Sequence, residues 1–191
     1  MKKLILLLSL AISLAVSACN ATNLVANTSP FGTPIPTLAV ATPPPFGGYE
    51  RVRDGQCPIR AVDLLAAWAN AGYPETDAFD FTAVDGTVCV GEFPTDVLPL
   101  FTESNLWYGG AVSCAACHGP DLDVSYAQLD VSSYEGLLAG SRRLAQATPM
   151  VGGAWEETKL HEVLVVTKFM PLNRPPGMPE KGPLVTAGKP K

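Results

Sequence analysis

Two histidines are all that the 191 residues contain, so imidazole chemistry is confined to His118 and His161. No run of lysines and arginines is present. With 13 basic against 18 acidic side chains and a formal charge of -5, the chain has no electrostatic footprint for nucleic acid. It also lacks an apolar run of the ~20 residues needed to span hydrocarbon; residues 4–16 are apolar but interrupted by Ser9 and Ser13. Internal repeats are absent. Loop formers are plentiful, with 17 glycines and 18 prolines, so much of the chain is expected as turn or linker. The length suits one compact domain with appendages.

The first residues read as an export signal. Met1-Lys2-Lys3 is a short positive start and residues 4–16 are the apolar segment. The segment ends in "VSAC", with Cys19 last. That ending resembles a bacterial lipobox, in which the cysteine receives a diacylglyceryl group and the chain is cut before it. Residues 1–18 are then a signal peptide and Cys19 is the expected lipidation site. Val16 stands where such motifs favour leucine, and ordinary cleavage after Ala18 is the competing reading. Two or three acyl chains anchor stably where one does not. The expected location is the outer, periplasmic face of a bacterial cytoplasmic membrane, held by the lipid.

Export places the cysteines where pairs tend to oxidise. Of five cysteines, Cys19 takes lipid and Cys114 and Cys117 belong to one motif. Cys57 and Cys89 are left as a disulfide pair.

Residues 20–48 carry no charge and six prolines. They read as a tether, part polyproline II and part coil. Residues 49–103 hold ten acidic side chains and three arginines, an acidic extension pinned by the disulfide. Within it, Pro58 predicts the start of a helix running to Ala71, with Val62, Leu65, Ala66 and Ala69 as its apolar stripe. Phe79, Phe81 and Ala83 alternate with polar residues, and Asp85-Gly86 predicts a two-residue hairpin turn with residues 87–90 returning. From Ser104 onward, Ser132-Ser133-Tyr134-Glu135 predicts a capping box opening a short helix that ends before Gly140. A third helix is predicted from Trp155 to Lys168, with Leu160, Val163, Leu164 and Thr167 on its face. Residues 180–191 are expected as an extended tail.

The chemistry is concentrated in "AVSCAACHGP". Cys114-Ala115-Ala116-Cys117-His118 has the attachment pattern of a c-type haem. On a helical turn, positions 114, 117 and 118 face one way. Two thiols then meet the two vinyl groups of one porphyrin, and the histidine lies beneath the iron. A zinc site would need two further ligands, with only His161, Cys57 and Cys89 to supply them. A redox disulfide of the thioredoxin kind would want a βαβ context, which is not evident. One motif implies one haem c.

The stretch resembles the class I cytochrome c family over residues 104–179. The resemblance rests on "CAACHGP", a short middle helix ending near a glycine, and a last helix from Trp155 followed by Met-Pro. It implies a mainly α fold, here with a small α+β N-terminal extension and long Pro-rich coil segments. It implies that Pro120 offers its carbonyl to the other ring nitrogen of His118. It also implies a methionine as sixth ligand: Met170 of Met170-Pro171, with Met178 of Met178-Pro179 as the alternative and Met150 third. His161 as second imidazole ligand is the less favoured option. Trp107, Tyr108, Trp155, Leu160, Leu164 and Phe169 are candidates for the haem pocket. Arg142, Arg143 and Arg174 are candidate partners of the propionates, with Arg174 preferred.

The segment "WEETKLHEVLVVTKFMPLNRPPGMPEKGP", with the lipobox, the tether and the single haem site, resembles the monohaem cytochrome subunits of alternative complex III, a quinol-oxidising assembly. That resemblance implies one-electron transfer without catalysis by this chain itself. Its implied partners are a multihaem cytochrome, an iron–sulfur subunit, integral membrane subunits and a periplasmic electron acceptor. A free-standing tethered shuttle is the alternative. A five-coordinate haem enzyme or gas sensor is the third reading.

Overall fold

The computed structural model describes residues 54–143 and 150–191. The export signal, Cys19 and the tether lie outside the described residues. No helix among the described residues is long and apolar enough to cross a membrane.

The order of elements is β1 (Cys57–Arg60), α1 (Ala61–Asn70), β2 (Phe79–Thr82), β3 (Val88–Gly91), a π-helical turn (Phe93–Val97), α2 (Pro99–Thr102), α3 (Cys114–Cys117), a 3-10 turn (Tyr126–Gln128), α4 (Tyr134–Ala139), a 3-10 turn (Trp155–Glu157), α5 (Lys159–His161), a second π-helical turn (Glu162–Val166), β4 (Leu184–Ala187) and β5 (Lys189–Pro190). The expectation of a mainly α, class I cytochrome c fold is overturned. Among the described residues the α-helices are short, the longest having ten residues, and two small antiparallel sheets accompany them.

The reason lies in the sequence at each element. Pro58 does not open a helix. It sits inside β1 opposite Thr186 of β4, and α1 begins three residues later at Ala61. Proline lacks an N–H, which an edge strand tolerates. The predicted stripe of α1 misses its largest member: Leu64, Leu65 and Trp68 are fully buried. Trp68 stacks on Phe93 with ring centroids 5.0 Å apart and meets Tyr73 edge-on at 5.1 Å.

The predicted helix from Trp155 to Lys168 is broken. Thr158 has extended backbone (φ -79°, ψ 151°) and its hydroxyl accepts the amide of His161, so it caps a new start rather than continuing a turn. Val163, Val165 and Val166 then crowd the backbone, since β-branched side chains fit a helix poorly. The chain there widens into a π-helical turn. The short middle helix is present, with Gly140 after it, but its cap is Ser133, which accepts the Gly136 amide at 3.0 Å. Ser132 is instead bonded to Asp130.

The hairpin forms as β2 against β3, with Phe81 opposite Cys89. Its connection is longer than a two-residue turn: the Ala83 amide donates to Thr87 and the Gly86 amide to Ala83. Cys57 and Cys89 are joined by a disulfide. The bond ties β1 to β3, and so ties the two sheets together.

Within residues 180–191, Leu184–Ala187 and Lys189–Pro190 are extended as strands, whereas Glu180 and Lys181 form a turn. β4 pairs with β1 and β5 pairs with β3, so one C-terminal segment closes both sheets. Gly188 lies between them with φ +54°. A Cβ there would lie 2.2 Å from the carbonyl oxygen of Val90, so only glycine fits. The buried residues of 57–101 and of 106–187 form one hydrophobic core; the acidic extension and the motif region share it.

Candidate haem-attachment site

Helix α3 is a single turn made by its own local chemistry. Ser113 caps it, its hydroxyl accepting the Ala116 amide at 3.2 Å. Two alanines fill the middle. The His118 amide donates to Cys114 at 2.9 Å and closes the turn. Gly119-Pro120 follows and prevents continuation, because proline has no N–H to give. Cys114, Cys117 and His118 are thereby gathered on one turn, all three half-buried.

The histidine's orientation is set by a backbone carbonyl. His118 Nδ1 lies 2.8 Å from the carbonyl oxygen of Tyr126. A carbonyl only accepts, so Nδ1 carries a proton, and in the neutral ring Nε2 is then the nitrogen with the lone pair. The role expected of Pro120 is therefore taken by Tyr126. The reason is backbone shape. Ala127 and Gln128 both adopt left-handed conformations, with φ 60° and 49°, which turns the Tyr126 carbonyl back towards α3. Ser141 donates its hydroxyl to Ala127, the Arg142 amide donates to Gln128, and the Val131 amide donates to His118 itself. No side-chain pattern marks Tyr126 for this task, because its contribution is a main-chain oxygen.

Cys114 lies 3.8 Å from the Leu100 carbonyl oxygen through its sulfur. Burial pushes its thiol up to about 11, opposed by a backbone hydrogen bond and reinforced by the neighbouring Cys117. At neutral pH it is therefore a neutral thiol. Among the described residues no group of three or more His, Cys, Asp or Glu side chains is arranged to hold a metal ion.

Trp107 is buried and its indole N–H donates to the same Leu100 carbonyl at 2.8 Å. Its ring also fills the space beside Gly182, where a Cβ would meet Trp107 at 2.9 Å. The next residue, Tyr108, donates its hydroxyl to Leu172. The Trp107-Tyr108 pair thus connects the approach to α3 with the loop that carries both candidate methionines. Met178 is buried in the core. Met170 is half-buried, and its amide donates to Val163 at 3.0 Å. Met150 is buried near Gly140.

Trp155, Leu160 and Leu164 are buried, whereas Phe169 is 64% exposed. His161 packs edge-on against Trp155 at 5.4 Å, and its buried Nδ1 has no hydrogen-bond partner. Arg142 and Arg143 are exposed. Arg174 does not stand free for a propionate: it donates to the carbonyls of Leu164, Pro179 and Glu180.

The donor set fits a covalently attached haem. Two thiols and an imidazole share one turn, the imidazole presents Nε2, and thioether sulfur is available in the methionine loop. No protein-family model, no curated protein and no solved structure matches the chain.

Proposed function

We propose that this chain is a one-electron carrier holding a single c-type haem, and that it serves as a lipid-anchored subunit of a quinol-oxidising complex of the alternative complex III kind. Cys114 and Cys117 would hold the porphyrin, each S–H adding across one vinyl group to make a thioether. His118 would bind the iron through Nε2, and Met170 would supply a thioether sulfur as the second protein ligand. When bound, the group supplies one reversible electron at a potential raised by a methionine ligand relative to a second imidazole. The protein's part is to orient, to shield and to leave no open position for substrate.

The observation that carries this reading is the hydrogen bond from His118 Nδ1 to Tyr126. A ligating histidine usually gives its other nitrogen to such an acceptor, which sets both tautomer and ring orientation. That the carrier belongs to a larger assembly is supported by the likeness of residues 155–183 to the monohaem subunits of such complexes; the "VSAC" ending and the uncharged tether suit this reading and the free shuttle alike. Its partners would be a multihaem cytochrome, an iron–sulfur subunit and integral membrane subunits, with a soluble periplasmic acceptor.

The test is purification from native membranes with a haem stain. The expected result is a stained band of this chain co-migrating with those subunits. A stained chain that migrates alone supports the free shuttle. A colourless mature protein, with Cys114 and Cys117 free or joined to each other, removes the electron-carrier reading. A high-spin spectrum with carbon monoxide binding replaces it with a five-coordinate haem protein.

A further inference from the structure

We infer that Arg174 is a positioning residue that fixes the shape of the loop between the second π-helical turn and Glu180, and with it the place of Met170, the methionine ligand proposed above. The inference rests on the function proposed above. The guanidinium bridges the two flanks of the loop, with one bond partly buried and two at the surface. Nη1 donates to Leu164 at 3.3 Å, on the entering side, and Nη2 donates to Pro179 at 2.6 Å and Glu180 at 3.4 Å, on the leaving side. Met170 and Met178 both lie between these anchors.

Only arginine has the means to do this. Its planar fork carries several N–H donors and no acceptor, so it can satisfy carbonyls from two directions at once. It also brings its charge to the Leu164 carbonyl, within the segment Glu162–Val166.

The loop needs such a clamp. Lys168 and Asn173 both adopt left-handed backbone, with φ 54° and 59°, conformations that persist only when surrounding contacts impose them. The other closure, Lys168 to Glu180 at 2.6 Å, lies on the surface with Glu180 80% exposed. Exposed ion pairs of that kind contribute little. The bond from Arg174 to Leu164 is partly buried, and it works together with the Met170 amide, which donates to Val163 on the same helical turn. An arginine committed to main-chain oxygens on both flanks acts on the ligand loop rather than on an anionic group of the cofactor.

The experiment uses the haem-loaded, full-length protein. Arg174→Ala should keep the wild-type haem content by pyridine haemochrome, while the methionine-sulfur-to-iron charge-transfer band of the ferric form weakens. Carbon monoxide affinity of the ferrous form should rise about tenfold, the equivalent of losing one or two such hydrogen bonds. Glu180→Gln, which removes the surface ion pair and the exposed carboxylate near Arg174 but keeps the Glu180 carbonyl that Arg174 uses, should leave both readings unchanged. An Arg174→Ala protein with the wild-type band and carbon monoxide affinity overturns the inference. So does a Glu180→Gln protein as impaired as Arg174→Ala. Should Arg174→Ala not accumulate, Arg174→Gln decides: its shorter neutral amide cannot span both flanks, and wild-type behaviour in it overturns the inference. A colourless wild-type protein overturns the proposed function, and this inference with it.

Discussion

The carboxylate of Asp96 accepts the amide of Gly188 at 2.6 Å, across 92 residues of sequence. Its other oxygen accepts the Glu92 amide at 2.8 Å. One buried side chain therefore clamps the turn after β3 to the junction between β4 and β5.

Gly188→Ala is expected to break that clamp. The added methyl meets the Val90 carbonyl, and a left-handed backbone at a non-glycine residue adds strain. The cost should be about 2–4 kcal/mol, in the range of severe single substitutions. Thermal melts of the variant check it; an unchanged midpoint would show that β5 does not pair as described.

Removing the disulfide should cost about 3–4 kcal/mol, because the crosslink closes a loop of intermediate length; the two cysteines are 32 residues apart. Denaturant titration of the Cys57→Ser, Cys89→Ser double variant measures this. Reduction of the wild type should reproduce the same loss, and a discrepancy between them would point to a packing effect of the substitutions.

The methionines should separate cleanly. Met170→Ala is expected to abolish the low-spin methionine-type spectrum with little loss of stability. Met178→Ala removes a buried side chain and should cost about 2–5 kcal/mol while the spectrum stays. The reversed pattern would make Met178 the ligand.

Alkaline pH should destabilise the chain while Cys114 is a free thiol. Its pKa is raised on folding from 9.0 to about 11, so between those values the native state keeps a proton that the unfolded state has lost. Stability contributed by this group is full below pH 9 and declines as pH rises towards 11, by about 2–3 kcal/mol in all. Urea midpoints measured across that range on the haem-free protein check the sign. In the thioether form the group cannot titrate and the decline from it should vanish.

Signals carried by neighbouring residues were the legible ones. The turn at Cys114–Cys117, the hairpin around Asp85 and Gly86, and the helix before Gly140 all follow from short-range chemistry. The pairing of Cys57 with Cys89 followed from counting. What escaped was set at long range or by the main chain. Pro58 reads as a helix start until β4, some 130 residues away, captures its strand. The run after Trp155 keeps a helical period, yet Thr158 can cap as well as continue, and here it caps. Arg174 looks like a partner for anionic groups because the carbonyls it satisfies have no signature in the sequence. Tyr126 is hidden for the same reason.

The position of Trp107 has an optical consequence. All three tryptophans are buried, and Trp107 shares the Leu100 carbonyl with the sulfur of Cys114. A porphyrin bonded at that sulfur would drain the indole's excited state by energy transfer. With the haem proposed above, ultraviolet emission would serve as an internal gauge of cofactor loading: dim with the pigment attached, bright without it.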